Sequence, residues 1–169
     1  MQLGMIGLGK MGANMAQRLL NGGHKVIGFD PAADARKQLE GNGGGSADSL
    51  KALVQALPAP RVVWLMVPSG KVTDDTVDAL LALLEKGDTM IDGGNSNYKD
   101  SLGHAAKCAG QGINYVDCGT SGGVWGLAEG YSMMVGGDEK VVDGLKPIFE
   151  TLAPAKDQGW GRVGPVGSG

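Results

Sequence analysis

Three glycines near the start of the chain constrain its fold more than any other feature. Gly7, Gly9 and Gly12 form a G-x-G-x-x-G run, which follows the short apolar segment 2–6 and opens a helical pattern over 10–21. In a doubly wound α/β domain, the first glycine of this run permits a tight turn and the second opens the backbone to a ligand. The third lets helix and strand pack closely. We therefore predict that phosphate groups bind at the start of the helix, where free N–H groups and the positive dipole end meet.

An acidic residue at the end of the second predicted strand completes this fingerprint. Asp30 follows the strand predicted over 25–29 and lies 18 residues after Gly12. A carboxylate at this position accepts hydrogen bonds from the adenosine ribose of a dinucleotide. Asp30 can also cap the helix that begins beside Pro31, and the two roles are compatible.

The residues around Asp30 bear on which dinucleotide is bound. Its carboxylate would repel the 2′-phosphate of NADP, and hydrogen bonds to a charged group contribute roughly 1.5–3 kcal/mol. Ala32 and Ala33 supply no cation for that phosphate, and Arg36 and Lys37 are expected on the solvated face of the next helix. The pattern therefore favours NAD as the cofactor.

Apolar runs alternate with helical patterns along the whole chain. Strands are predicted over 2–6, 25–29, 61–67, 88–92, 113–117 and 131–135, and helices over 10–21, 32–40, 47–57, 71–85, 98–110 and 138–152. Ser46 or Asp48 is expected to cap the helix over 47–57. Repeated strand–helix–strand units build a parallel sheet. We predict one α/β domain over residues 1–169, with a doubly wound, mostly parallel sheet of the Rossmann type.

Length, charge and cysteine content exclude several classes of protein. The 169 residues suit one domain, and a net charge of -3 gives no reason to expect nucleic acid or a membrane as a partner. Cys108 and Cys118 are expected to be reduced thiols, without a disulfide or a metal site. His24 and His104 are expected near the surface without a catalytic role. No basic leader or apolar stretch of about eighteen residues occurs, so a cytoplasmic protein is expected.

Three loops rich in glycine follow the later strands, over 67–70, 92–97 and 119–126. In an open α/β sheet, ligands bind beyond the carboxyl ends of the strands. The amide of Asn95 suits a hydroxyl, a carboxylate or a nicotinamide carboxamide. Ser121, Gly122 and Gly123 offer a hydroxyl and backbone N–H groups to a substrate carboxylate. The residues alone therefore predict an NAD-binding domain with a small polar substrate pocket.

The sequence resembles the β-hydroxyacid dehydrogenase superfamily and, within it, the decarboxylating 6-phosphogluconate dehydrogenase family. The resemblance lies in 7–16 (GLGKMGANMA), 91–98 (IDGGNSNY) and 122–131 (GGVWGLAEGY), and it extends over essentially the whole chain. It implies oxidation of the 3-hydroxyl of 6-phosphogluconate by hydride transfer to the nicotinamide. The resulting β-keto acid would lose carbon dioxide and give ribulose 5-phosphate.

The resemblance also implies the site residues. The residues expected to contact the cofactor are Gly7, Leu8, Gly9, Lys10, Met11, Gly12, Asp30, Val67, Pro68 and Asn95. Asn95 and Ser121 would position the substrate, and Gly122 and Gly123 would bind it as well. Asp30 and Pro31 stand where many members have an asparagine–arginine pair, which implies the NAD-using branch.

The family's general base is a lysine on a long helix that follows the nucleotide domain, after a glycine-rich turn. Residues 164–169 (GPVGSG) resemble the start of that turn, whereas Lys146 and Lys156 lie in the wrong context to replace the lysine. The resemblance therefore implies that the lysine and the helical substrate and dimerisation domain are absent from this chain. We expect the full-length protein to be a homo-oligomer acting on a phosphorylated sugar acid. The chain, as a fragment, should bind NAD with little turnover, because positioned proton transfer contributes roughly a hundred- to ten-thousandfold.

Three alternatives stay open on the sequence. A 3-hydroxyisobutyrate or tartronate semialdehyde type of dehydrogenase shares the glycine turn and the Ser121-Gly122-Gly123 loop. A non-catalytic NAD-binding regulatory module would need no substrate loops. An S-adenosylmethionine-binding fold also combines a glycine turn with an acid after the second strand.

Overall fold

The computed structural model describes residues 1–94, 96–155 and 158–169, except for the side chain of Val124. Within these residues eight strands form one sheet: β1 Gln2–Ile6, β2 Lys25–Phe29, β3 Gly45–Ala47, β4 Val62–Leu65, β5 Thr89–Asp92, β6 Asn114–Ser121, β7 Ser132–Gly136 and β8 Trp160–Gly164. Their spatial order is β3-β2-β1-β4-β5-β6-β7-β8. Strands β1 to β6 are parallel, β7 is antiparallel to β6, and β8 is parallel to β7. The mostly parallel sheet predicted from the sequence is confirmed.

Helices cover both faces of this sheet. The described helices are α1 Lys10–Asn21, α2 Ala33–Gly41, α3 Leu50–Ala56, α4 Lys71–Leu81, α5 Tyr98–Ala109, α6 Gly126–Glu129, α7 Glu139–Gly144 and α8 Lys146–Leu152, with a 3₁₀ turn at Gly123–Trp125. Trp64 of β4 packs in one apolar cluster with Met15 of α1 and Phe149 of α8. Its neighbour Val63 packs in a second cluster with Val77 of α4. Because a strand buried on both faces alternates between two cores, the doubly wound architecture is confirmed.

The helix predicted over 47–57 is found as α3, although it begins only at Leu50, and the preceding strand β3 was not predicted. β3 pairs with β2 at the edge of the sheet, and a local pattern does not reveal this pairing because the partner strand is distant. The cap of α3 is Ser49, whose Oγ accepts a hydrogen bond from the N–H of Ala52 at 3.0 Å. The prediction of Ser46 or Asp48 as the cap is therefore wrong.

The last third of the chain also departs from the sequence prediction. β6 continues to Ser121, so the loop predicted over 119–126 is instead a strand end, a 3₁₀ turn and α6. The helix predicted over 138–152 divides at Leu145, because Pro147 lacks the N–H that a helix interior needs and sits in the first turn of α8. β8 was not predicted, since its sequence WGRVG is short and rich in glycine and it forms by pairing with β7.

The chain reverses its direction of growth across the sheet between β1 and β4. From β1 it moves outward to β2 and β3, and it then returns to add β4 on the other side of β1. Such a switch point leaves a crevice at the carboxyl ends of the two neighbouring strands, where α/β domains bind their ligands. No helix in the described part of the chain is long and apolar enough to span a membrane.

Candidate functional site

The glycine-rich turn between β1 and α1 has two glycines that the protein itself requires. Gly7 has a φ of +94°, and a Cβ there would collide with the carbonyl oxygen of Met66. A Cβ on Gly12 would collide with the carbonyl oxygen of Gly7. A Cβ on Gly9, by contrast, would meet no protein atom within 4 Å. Packing therefore explains Gly7 and Gly12, whereas the space beside Gly9 is open to a ligand.

The amino end of α1 lies beside that open space. Gly9 is the N-cap residue and supplies no side chain to bond the N–H groups of the first turn, which also contains no acidic residue. Of the predicted cofactor residues around it, Lys10 is exposed, Met11 is half-buried, and Leu8 packs into the core. The helix start is therefore suited to hold an anion through backbone N–H groups and the helix dipole.

Asp30, at the end of β2, stabilises the glycine-rich turn through hydrogen bonds to its carboxylate. Its Oδ2 accepts a hydrogen bond from the N–H of Leu8 at 2.8 Å, and its Oδ1 accepts one from the N–H of Ala32 at 2.8 Å. The first bond fixes the carboxylate next to the glycine turn, and the second shapes the entry to α2. The N-cap residue of α2 is Ala32, with no side-chain cap hydrogen bond, so the prediction that Asp30 caps this helix is wrong. The role of Asp30 toward a ribose stays a prediction.

Arg36 does not lie on the solvated helix face, so that prediction is wrong. The side chain is half-buried, and its Nη1 donates to the carbonyl oxygens of Asp30 at 2.6 Å and Pro31 at 3.3 Å. The carbonyl groups at the end of β2 attract the guanidinium because they lack strand partners there. Lys37 is exposed, as predicted.

A cleft of about 410 Å³ opens at the switch point. It brings together six of the residues singled out from the sequence: Gly7, Gly9, Asp30, Pro31, Val67 and Pro68. Phe29, Leu50 and Val72 add apolar walls. A cleft with a carboxylate, a helix N-terminus and apolar walls suits a molecule with an aromatic base, a ribose and phosphates.

Asp92 organises the turn after β5. The carboxylate is 3% exposed, and its Oδ1 accepts a hydrogen bond from the N–H of Gly94 at 2.9 Å. Its Oδ2 accepts hydrogen bonds from Ser96 Oγ at 2.6 Å and from the Tyr115 hydroxyl at 3.0 Å. The carboxylate thus holds residues on both sides of position 95, while Asn95 itself lies outside the described residues.

The two histidines are buried, which contradicts the expected surface positions. His104 Nε2 lies 2.7 Å from Asp74 Oδ1, and its Nδ1 lies 3.4 Å from the Tyr115 hydroxyl. It therefore connects α4 to the hydrogen bonds around Asp92. His24 lies at the amino end of β2, remote from the cleft at the carboxyl ends of the strands, and contacts Thr151 Oγ1 at 2.8 Å.

Asp117 stands directly opposite Asp92 on the neighbouring strand. Its two carboxylate oxygens accept hydrogen bonds from the N–H of Gly167 at 2.8 Å and of Gly169 at 2.7 Å. A cavity of about 180 Å³ lies between the two carboxylates, with Ser96 and Ser101 among its lining residues. Sequence reasoning missed this pair, although an acidic residue that ends an otherwise apolar strand is a usable signal.

Burial determines the protonation of two groups beside these carboxylates. It raises the pKa of the Tyr115 hydroxyl, and the nearby Asp92 carboxylate raises it further. Burial also raises the pKa of the Cys118 thiol to about 12. Both groups therefore keep their protons near neutral pH, and neither is suited to act as a general base. Cys108 and Cys118 are free thiols, as predicted.

Ser121, Gly122 and Gly123 lie where β6 ends. Ser121 is exposed and stands opposite Ser132 of β7. The buried ring of Tyr131 packs so closely under Gly122 that a side chain there would collide with it. Ser121 lines a cavity of about 530 Å³ with Gly119, Thr120, Ser132, Met134 and Trp160, and none of these lines the nucleotide cleft. Gly119 also lines the 180 Å³ cavity, so Ser121 lies near Asp117 rather than near Asp30.

No group of three or more His, Cys, Asp or Glu side chains placed to hold a metal ion occurs among the residues that the structure describes.

Comparison with known proteins agrees with this geometry. The sequence model of the family described as the NAD binding domain of 6-phosphogluconate dehydrogenase matches residues 2–161. The NAD(+)-dependent, decarboxylating 6-phosphogluconate dehydrogenase of Haloferax volcanii is 43% identical over 169 residues, which are 100% of this chain and 55% of the relative. The chain thus spans about half the length of that relative.

Solved structures give the same result. The 6-phosphogluconate dehydrogenase of Plasmodium falciparum, described in complex with NADP+ and with 6-phosphogluconate, matches with a TM-score of 0.91 and 28% identity over 100% of this chain and 38% of that one. The 3-hydroxyisobutyrate dehydrogenase of Mycobacterium tuberculosis matches with a TM-score of 0.89 and 31% identity over 99% of this chain and 56% of that one. The chain is an NAD(P)-binding Rossmann domain and belongs to the family of NAD-binding domains of 6-phosphogluconate dehydrogenase.

Proposed function

We propose that the chain is the NAD-binding part of an enzyme that oxidises and decarboxylates 6-phosphogluconate to ribulose 5-phosphate. The observation that carries the proposal is the cleft at the switch point, where the Asp30 carboxylate is fixed against the glycine turn by the N–H of Leu8. The open space beside Gly9 adds to it, because protein packing gives no reason for a glycine there.

The cofactor we propose is NAD rather than NADP. The carboxylate of Asp30 lines the cleft and would accept hydrogen bonds from the ribose hydroxyls, whereas a 2′-phosphate would meet a negative charge. The Haloferax volcanii relative is named as NAD(+)-dependent, which supports the same choice. When bound, NAD would accept the hydride that leaves the substrate carbon.

On the substrate side, we propose that Asn95 and Ser121 position the substrate and that Gly122 and Gly123 bind it through backbone N–H groups. Asp92 supports this role by bonding the residues on either side of position 95. Tyr115 and Cys118 keep their protons, so they do not supply the general base. The 169 residues alone should therefore bind the cofactor without appreciable turnover.

A second substrate class has support of its own. The 3-hydroxyisobutyrate dehydrogenase of Mycobacterium tuberculosis matches this chain almost as well in shape as the phosphogluconate enzyme and slightly better in identity. A smaller β-hydroxyacid is therefore the alternative substrate. The nucleotide cleft does not distinguish the two, because the difference lies in the substrate half.

The first experiment titrates this chain with NADH and with NADPH and follows the tryptophan fluorescence. We expect NADH to bind on the order of tenfold to a hundredfold more tightly, from hydrogen-bond contributions of roughly 1.5–3 kcal/mol. If neither NADH nor NADPH binds, the proposal is wrong. If S-adenosylmethionine binds more tightly than either nucleotide, the chain is instead an S-adenosylmethionine-binding domain.

The second experiment concerns turnover and uses a polypeptide in which the helical domain expected for the family follows this chain. We expect NADH formation from 6-phosphogluconate, with the 169-residue chain inert beside it. Turnover of 3-hydroxyisobutyrate without turnover of 6-phosphogluconate would favour the alternative. Cofactor binding without turnover of either acid would favour a regulatory module.

A further inference from the structure

A cation is bound to the backbone at the end of β2, at the residue whose carboxylate is proposed to select NAD. Asp30 and Pro31 line the nucleotide cleft, and the guanidinium of Arg36 is bound to the carbonyl oxygens of these same two residues. The side chain is half-buried, although it comes from the first turns of α2 and a solvated position was expected. Arg36 is therefore anchored to the backbone of two residues that line the cleft, although it does not itself line it.

The guanidinium retains capacity for another partner. Both hydrogen bonds that Arg36 makes to described residues use Nη1, which leaves the donors on Nη2 and Nε available. It forms no ion pair with a carboxylate in the described part of the chain. The Asp30 carboxylate instead accepts hydrogen bonds from the N–H groups of Leu8 and Ala32. The guanidinium of Arg36 and the carboxylate of Asp30 thus have separate hydrogen-bond partners.

A phosphate group is the natural partner of such a guanidinium, because the planar donors match its oxygens. We propose that Arg36 is a specificity-determining residue, a cation already in place for the 2′-phosphate of NADP, and that the Asp30 carboxylate excludes this phosphate. The inference rests on the proposed function, since it requires the adenosine ribose to lie at Asp30. Replacing Asp30 alone should therefore convert the site, without an added arginine.

The experiment measures the dissociation constants of NADH and NADPH for the chain and its variants by fluorescence titration. Asp30→Asn removes the charge but keeps an oxygen that can accept the hydrogen bond from the N–H of Leu8. We expect this variant to bind NADPH on the order of tenfold or more tightly than the original chain. The gain should weaken as salt is added, because it depends on charge at the surface.

A double variant tests whether Arg36 supplies that gain. Asp30→Asn with Arg36→Gln keeps an N–H donor for the carbonyl groups and removes the cation, so most of the gain in NADPH affinity should disappear. Asp30→Asn with Lys37→Gln is the matched control, because Lys37 is exposed on the same helix and its loss should leave the gain intact. Melting temperatures verify that all variants fold.

The outcomes separate this inference from the proposed function. A gain that survives Arg36→Gln, or that never appears in Asp30→Asn, overturns the inference while NADH binding by the original chain still supports the proposed function. NADPH binding as tight as NADH binding in the original chain overturns the exclusion by Asp30. A chain that binds neither nucleotide overturns both.

Discussion

The nucleotide half and the substrate half of this domain build their sites in opposite ways. Around β1, α1 and β2 the site is mostly backbone: glycines without side chains, an uncapped helix start and one carboxylate. Around β5 and β6 the turns are held by two buried carboxylates, Asp92 and Asp117, which bond groups as far as 52 residues away. An added carbon atom on a glycine should therefore disturb the nucleotide half. The loss of one hydrogen-bonding group should destabilise the substrate half.

The largest effect should follow from Gly7→Ala in the nucleotide half. The substitution forces a left-handed backbone on a residue with a side chain and places its Cβ against the carbonyl oxygen of Met66. Strain and overpacking together should lower the free energy of unfolding by about 2–5 kcal/mol. Urea denaturation measures this change.

Gly9→Ala is the matched variant, because its Cβ meets no protein atom within 4 Å. Its unfolding free energy should stay within about 1 kcal/mol of the original, while its affinity for NADH should fall as the methyl group intrudes on the ligand. If Gly7→Ala and Gly9→Ala destabilise the chain equally, the separation of packing glycines from a ligand glycine is wrong.

A smaller effect is expected from Tyr115→Phe in the substrate half. The variant keeps the ring and removes the hydroxyl that donates to the buried Asp92 carboxylate. Loss of a hydrogen bond to a buried charge should cost roughly 1.5–3 kcal/mol of unfolding free energy. Tyr98→Phe is the control, because Tyr98 is 56% exposed on α5. Equal effects of the two substitutions would contradict a substrate half that depends on buried polar contacts.

The difference between the nucleotide half and the substrate half also explains how much of the site could be predicted from the sequence. The glycine spacing and the acid after the second strand belong to a known fingerprint of one strand–helix–strand unit, so the pattern of residues predicts them even though the Asp30–Leu8 bond spans 22 residues. The Asp92–Tyr115 contact joins side chains 23 residues apart on adjacent strands, and only the sheet register brings them together. The position of His104 was wrongly predicted for the same reason, because its contacts with Asp74 and Tyr115 come from other elements of the fold.

Backbone pairing accounts for the other differences between the predicted and the observed elements. β3 and β8 are edge elements that form because β2 and β7 offer unpaired backbone groups, and their own residues carry little strand signal. The roles of Asn95 and Ser121 stay predictions, Asn95 because it lies outside the described residues. Ser121 ends β6 instead of lying in the predicted loop, and it lines a cavity separate from the nucleotide cleft.

The smallest effect should come from His24, which belongs to neither site. Burial holds the pKa of His24 below its ordinary value, and the positive N-terminus contributes in the same direction. The unfolded chain therefore takes up a proton at this position at a higher pH than the folded chain does. The contribution of His24 to the free energy of unfolding is complete above about pH 6.5 and is lost progressively below it.

His24→Gln should flatten the decline of unfolding free energy between about pH 7 and about pH 5.5, above the range where most carboxylates titrate. Urea denaturation at several pH values measures the slope, and NADH affinity should keep its pH dependence in the variant because the amino end of β2 is remote from the cleft. An unchanged slope would place the acid sensitivity elsewhere, and a changed NADH profile would show that the amino end of the sheet is coupled to the nucleotide half.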